Sequence, residues 1–313
     1  MIVVAGESLI DLIAGDDGTL RPLPGGGPFN VARGLARLGA AVAFLSAVSD
    51  DRFGRMLRER LHADGVDLRA LVPSALPTTL ALAELDAAGT AGYRFYAEGT
   101  AAPSLTPGRA AVALGGLDVR ALHVGSLGLA LDPLAGAVEE VVARVAADVL
   151  VMVDPNWRPG AVQDPRRWRA RLERVLRRAD VVKVSAEDLG HLAPDRSVER
   201  AAHALLSGRT RCVLVTDGAA AVHVLTREGT RSVRPPAVEV VDTVGAGDAF
   251  CAGFLASCNA GGVTQDQLGS LDVVARAAGF AATVAARTCE RAGANPPRLE
   301  ELNGVGAAGV AAA

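Results

Sequence analysis

Lysine is almost missing from this chain: among 32 basic residues only Lys183 is a lysine, and it lies inside an apolar run at 181–184. A phosphate loop built on Gly-Lys-Ser/Thr is therefore excluded, and any nucleotide phosphates would have to be held by backbone amides, arginines and a metal. An excess of one charge is missing too. The net charge is −3, the isoelectric point is near 6.0, and bases are interspersed with acids. Neither nucleic acid nor an anionic membrane is implied as a partner, which leaves a small molecule. Apolar runs break well short of a membrane span, and Met1 leads into Ile2-Val3-Val4 with no basic segment, so a cytoplasmic protein is expected. Cys212, Cys251, Cys258 and Cys289 show no paired metal-ligand spacing and read as small buried hydrophobes, without disulfides or zinc.

What is present is enough apolar material for a large core: 313 residues, 50% hydrophobic, with a mean hydropathy of +0.27. One large α/β domain accommodates this as well as two small ones, and a single domain over 1–303 is favoured. From Leu122 onward short apolar runs alternate with helix-like segments: 122–124, 134–147, 149–153, 166–178, 181–184. That rhythm predicts a mostly parallel central sheet covered by helices on both faces, a three-layer α/β fold. The continuous apolar run 2–6 reads as a first central strand and 42–48 as a second, with an acid-capped helix from about 49 to 63. Alternation at 79–85 and 93–96, split by 86–90, predicts a hairpin whose apolar face needs further cover. The tail from 304 to 313 is Gly/Ala-rich and uncharged, and is expected to be disordered.

The chemistry concentrates between 240 and 254. An apolar run at 238–241, read as a strand, leads to Asp242-Thr243, then Gly245-Ala246-Gly247 and a helix from Asp248 to about 258. Glycines permit a turn in which the amides of Gly245, Ala246, Gly247 and Asp248 converge at a helix N-terminus, an arrangement that binds an anion. Asp248 can serve there as a helix cap, or as a base taking a hydroxyl proton beside a held phosphoryl group. A second glycine loop, Gly25-Gly26-Gly27-Pro28-Phe29-Asn30, feeds a helix ending at Gly39; it lacks the third glycine of a dinucleotide fingerprint. Asp11 sits among apolar residues, where a carboxylate needs a partner: either it caps a turn or it binds a ligand. Polar residues cluster where strands should end: Ser126, Asp154 to Arg158, Ser185 to Asp188, and Thr216 to Gly218.

Asp242-Thr243-Val244-Gly245-Ala246-Gly247-Asp248 resembles the C-terminal signature of the ribokinase-like (PfkB) carbohydrate kinases, in which the last Asp is the catalytic base. Gly26-Gly27-Pro28-Phe29-Asn30 resembles that family's N-terminal signature. The resemblance covers about 2–300 and implies a ribokinase-like fold with a small β lid formed from about 12–23 and 77–100. It implies sugar contacts at Asp11, Gly26, Gly27 and Asn30. Asp154-Pro155-Asn156-Trp157-Arg158 is similar to a segment of fructokinases and 2-keto-3-deoxygluconate kinases, with Arg158 as a contact to sugar or phosphate, or a solvated surface residue. Ser185-Ala186-Glu187-Asp188 stands where the family has Asn-x-x-Glu, so Asp188 would help to organise magnesium and phosphate. Thr216 and Gly218 would belong to the nucleotide loop, in which Ala221 replaces a glycine. Asp242, the Val244 carbonyl and the loop 287–297 would enclose a monovalent cation, K+. The implied activity is transfer of the ATP γ-phosphoryl group to a sugar hydroxyl, with Mg2+. The details lean towards fructokinase; a 2-keto-3-deoxygluconate kinase, a nucleoside kinase and a non-catalytic sugar- and nucleotide-binding regulator are the alternatives. The lid could also meet a second copy as a homodimer.

Overall fold

The computed structural model describes residues 1–15, 17–85 and 91–302. The first part of the chain runs β1 (Ile2–Ala5), β2 (Leu9–Ala14), β3 (Leu20–Gly25), α1 (Gly27–Arg37), β4 (Val42–Ser49), α2 (Arg52–Asp64) and β5 (Leu71–Ser74). Then come β6 (Leu80–Leu85), β7 (Ala91–Tyr96), α3 (Pro107–Leu114), β8 (Ala121–Gly125), α4 (Leu134–Arg144), β9 (Leu150–Asp154), α5 (Pro165–Leu176) and β10 (Val181–Ser185). The last part is α6 (Ala186–Leu192), α7 (Val198–Leu205), β11 (Cys212–Asp217), β12 (Ala221–Thr226), β13 (Gly229–Val233), α8 (Ala246–Ala260) and α9 (Leu271–Cys289). Residues 86–90, read as the hairpin turn, and the tail 304–313 lie outside the described residues.

Nine strands form the central sheet in the order β13-β12-β11-β10-β9-β8-β1-β4-β5, parallel except for the antiparallel edge pair β12 and β13. The unbroken apolar runs are explained by burial on both faces. Ile2 and Val4 belong to a core that includes residues of α1, α2, α8 and α9, while Val3 and Ala5 belong to a second core with α3, α4, α5 and α7. Phe44 and Leu45 divide in the same way. Each such large side chain removed from water contributes roughly 1.5–3 kcal/mol, and a parallel sheet needs that contribution from both faces.

A separate four-stranded sheet has the order β3-β2-β6-β7, with β2 and β6 parallel. Leu9 and Ala81 bury one of its faces against Leu127 and Ala161. Elsewhere on this sheet Leu20 and Tyr96 are 52% and 50% exposed. Strand β2 starts at Leu9, so this sheet includes Asp11.

Two local readings differ from expectation. The apolar run 238–241 forms no strand, and Val240 and Val241 are exposed. The amides of Val241 and Asp242 both donate to Cys289 O, at 2.8 and 3.1 Å, so the segment is fastened to the end of α9 rather than to a sheet. A short apolar run does not distinguish these outcomes. Helix α1 begins at Gly27, earlier than the apolar periodicity suggests. Gly26 caps it with φ +109°, and Pro28 falls in the first turn, where a missing N–H costs nothing.

Candidate active site

Strands β1, β8, β9, β10 and β11 point their C-terminal ends the same way, and the N-termini of α1 and α8 meet there. Gly245 caps α8 with φ +78°, a left-handed conformation that glycine adopts freely. The Asp242 carboxylate fastens this turn: Oδ1 accepts from Val244 N at 3.0 Å and Oδ2 from Gly293 N at 2.7 Å. The loop 287–297 is thereby brought to the turn as expected, with Ala294 against Gly245. Ala249 N donates to Gly245 O at 2.8 Å, so the amides of Gly247 and Asp248 precede the first full helical bond. The Ala246 amide donates to Thr243 O at 3.2 Å; of the four expected to converge, it is already engaged.

Asp248 lies in the first turn of α8 and lines a cavity of about 290 Å³. Burial raises its pKa to about 7; the hydrogen bond from Asn30 Nδ2 to Oδ2, 2.9 Å, opposes the rise, the Asp154 carboxylate adds to it, and Lys183 and Arg158 favour the anion. A base in this condition exchanges a proton near neutral pH. Asn30 therefore holds Asp248, a contact that its assignment to the sugar pocket did not include.

The same cavity is lined by Asp11, Gly26 and Gly27. Gly25 is required beside Asp11, because a Cβ there would stand 2.0 Å from Asp11 Oδ2. Burial pushes Asp11 up to about 6, and among the described residues it has no hydrogen-bond partner. The turn-cap reading therefore finds no bond to support it. A side chain at Gly27 would reach within 3.2 Å of Ser126 Cβ and 3.4 Å of Asp248 Oδ1, so the space belongs to the cavity.

A second cavity, about 600 Å³, adjoins the first and is lined by Trp157, Ser185, Glu187, Asp188, His191 and Thr216. Arg158, Lys183 and Gly247 line both. Asp188 is buried, accepting from Ser185 Oγ at 2.7 Å and from Trp157 N at 3.0 Å, and so ties the segment after β9 to α6. Gly218 lies in the turn after β11 with φ +49°, beyond the residues that line this cavity.

Glu7 and Lys183 are lining residues that the sequence reading did not assign to the site, and Asn156 was read only as part of the segment 154–158. Glu7 is 1% exposed; its oxygens accept from Gly27 N at 3.2 Å and Gly128 N at 2.8 Å, and burial raises it to about 8. A lone carboxylate directly after a buried strand is the signal that could have revealed it. Lys183, set aside in sequence, reaches the site through an ion pair with Asp154, 2.9 Å. Asn156 lines both cavities with φ 41°, unusual for a non-glycine residue.

Among the described residues no three His, Cys, Asp or Glu side chains are grouped to cage a metal, and no helix is long and apolar enough to cross a membrane. Glu187 and Asp188 line the larger cavity, and their carboxylates are of the oxygen-donor type that suits a hydrated divalent ion.

Known proteins resemble this chain over most of its length. The family model for pfkB family carbohydrate kinases matches residues 1–301. A fructokinase of Rhizobium leguminosarum bv. trifolii is 37% identical over 277 residues, covering 87% of this chain and 84% of that one. The crystal structure of a Xylella fastidiosa fructokinase with bound ATP superposes with a TM-score of 0.88 at 31% identity, covering 96% of each chain. A Vibrio cholerae O395 fructokinase with fructose, ADP and calcium ion bound has a TM-score of 0.82 at 29% identity, over 94% of each chain.

Proposed function

The chain belongs to the pfkB family of carbohydrate kinases, and from that premise we propose that it is a fructokinase that phosphorylates D-fructose to fructose 6-phosphate with ATP. The observation that carries the reading is the position of Asp248: an ionisable carboxylate held by Asn30 in the smaller cavity, next to helix amides at the opening into the larger one. The smaller cavity takes the sugar, with Asp11 accepting from its hydroxyls. The larger takes MgATP, with Asp188 and Thr216 on the nucleotide side, and Gly218 shaping the loop beyond.

In the transfer, Asp248 accepts the proton of the attacking hydroxyl as its oxygen bonds to the γ-phosphorus. The bond from that phosphorus to the β,γ-bridging oxygen breaks, and ADP leaves with the electron pair. The amides of Gly245, Gly247 and Asp248 hold the charge spread over the transferring group, which is where such an enzyme gains most of its rate. Arg158 adds positive charge from the cavity rim. The Asp242 carboxylate and Val244 carbonyl, beside the 287–297 loop, suit a weakly held K+ that would pin this turn. The small sheet acts as a lid on one kinase domain; its exposed Leu20 and Tyr96 suit pairing with a second copy. A need for free sugar and ATP supports the cytoplasm as its compartment.

Coupled ADP release over a sugar panel, with Mg2+ and K+ present, tests the reading. Little ATPase without sugar and marked stimulation by D-fructose, with little response to ribose or adenosine, are expected. A higher kcat/KM for 2-keto-3-deoxygluconate would change the sugar and leave the Asp248 chemistry intact. Stimulation by no sugar would favour a binding protein.

A further inference from the structure

The only lysine of the chain has the position of a phosphate ligand. Lys183 sits near the C-terminal end of β10 and is 5% exposed. Its Nζ is 2.9 Å from Asp154 Oδ2, at the end of the neighbouring strand β9. A Cβ placed on Gly247 would lie 3.1 Å from Nζ, so the ammonium is pressed against the first turn of α8, beside the amides that precede the first helical bond. Lys183 also lines both cavities.

A buried ion pair between two sheet strands is a costly way to stabilise a fold, since desolvation offsets most of the attraction. Burial alone would push the ammonium down; the Asp154 carboxylate outweighs it and holds the pKa above the ordinary lysine value, so the charge persists. Asp154 Oδ1 has no hydrogen-bond partner among the described residues, so the pair is not part of a fully satisfied network. A fixed positive charge where the cavities meet lies where a phosphoryl group passing from one to the other would stand.

We propose that Lys183, oriented by Asp154, is a catalytic residue that binds the transferring γ-phosphoryl group together with the amides of Gly247 and Asp248. This rests on the kinase reading above. Lys183 gives up no proton; it neutralises charge on the non-bridging oxygens while the phosphorus changes partners. Asp154 is the positioning residue that keeps Nζ against Gly247.

A double-mutant cycle separates this role from a structural one. Lys183→Met and Asp154→Asn each leave a buried partner alone and should lower Tm, while the double variant removes both charges and should recover it. For a merely structural pair, activity would return with stability. For a phosphate ligand, kcat of the double variant stays ~10²-fold or more below wild type, while fructose affinity is retained. Calorimetry supplies a readout apart from turnover: affinity for β,γ-methylene ATP should fall ~10-fold and that for ADP much less, as expected for one lost charge-assisted contact to the γ-phosphate. Should the double variant not fold, Lys183→Gln, which keeps a donor for Asp154, carries the same expected losses. Near wild-type kcat in the folded variant, or equal loss of ADP and analogue binding, overturns the proposal. If wild type phosphorylates no sugar, the function is misread, and the analogue-versus-ADP difference still decides the role of Lys183.

Discussion

Asn30 Nδ2 donates to Asp248 Oδ2 at 2.9 Å, joining the first turn of α1 to the first turn of α8 across 218 residues of sequence. The two glycine-rich loops that stand apart in sequence thus form one site. The bond favours the ionised carboxylate against burial, which raises Asp248 to about 7. Activity should rise with pH through about 7 as the base loses its proton. Asn30→Ala should move that acid limb up by roughly one pH unit, the equivalent of one charge-assisted bond. The pH dependence of kcat/KM checks it; an unmoved limb would detach Asn30 from the base.

Asp248→Asn keeps the shape of the helix start and removes the base. A loss of at least ~10²-fold in kcat is expected, with ATP-analogue binding largely retained. Turnover near wild type would sink the assignment of Asp248.

Among the described residues the Asp11 carboxylate has no hydrogen-bond partner, and it lines the smaller cavity, so its charge is available to sugar hydroxyls. Asp11→Asn should raise the fructose KM by ~10-fold with a smaller effect on kcat. In the wild type the same KM should climb below about pH 6, where burial leaves Asp11 protonated. An unchanged KM with lowered Tm would return Asp11 to a structural role.

The architecture and half of the site were legible because they depend on local pattern. Apolar runs at 2–6, 42–48 and 122 onward became β1, β4 and the later central strands, and Gly245-Ala246-Gly247-Asp248 became the start of α8. Contacts made through tertiary approach left no such mark. Glu7 owes its place to amides of Gly27 and Gly128, and Lys183 to Asp154 on a neighbouring strand. The run 238–241 misled for the converse reason: its apolarity signals burial, yet the chain there only passes over the end of α9.

Glu7 makes stability depend on pH with a definite sign. Its folded pKa of about 8 lies above the ordinary 4.5, burial being the main cause, so the folded state holds a proton that the unfolded state releases. This contribution is fully present below 4.5 and is lost as pH rises through 8. Asp11 and Asp248, also raised, act in the same sense. Tm should fall by several degrees between pH 5 and 9, and Glu7→Gln should flatten the slope without abolishing it. If Glu7 were ionised throughout, scanning calorimetry across that range would show the same slope of Tm with pH in wild type and in Glu7→Gln.

Gly245 and Gly247 bracket the proposed anion hole, and alanine should act differently at each. At Gly245 the left-handed φ of +78° already disfavours a Cβ, and one would stand 2.9 Å from Ala294 Cα, so backbone on both sides must shift. Gly245→Ala should cost about 2–3 kcal/mol of stability and disturb the turn that Asp242 fastens to Gly293, lowering kcat as well. At Gly247 the φ is helical, and an added Cβ would meet only Lys183 Nζ at 3.1 Å. The side chain can withdraw, so the fold should survive Gly247→Ala with Tm within a few degrees of wild type. Withdrawal, however, takes the ammonium away from the first-turn amides, and kcat should fall by ~10-fold or more. Thermal denaturation and steady-state kinetics on the two variants separate the cases: Gly245→Ala loses stability and turnover together, Gly247→Ala turnover alone. Full activity in Gly247→Ala would mean that Lys183 Nζ is not needed where the structure puts it.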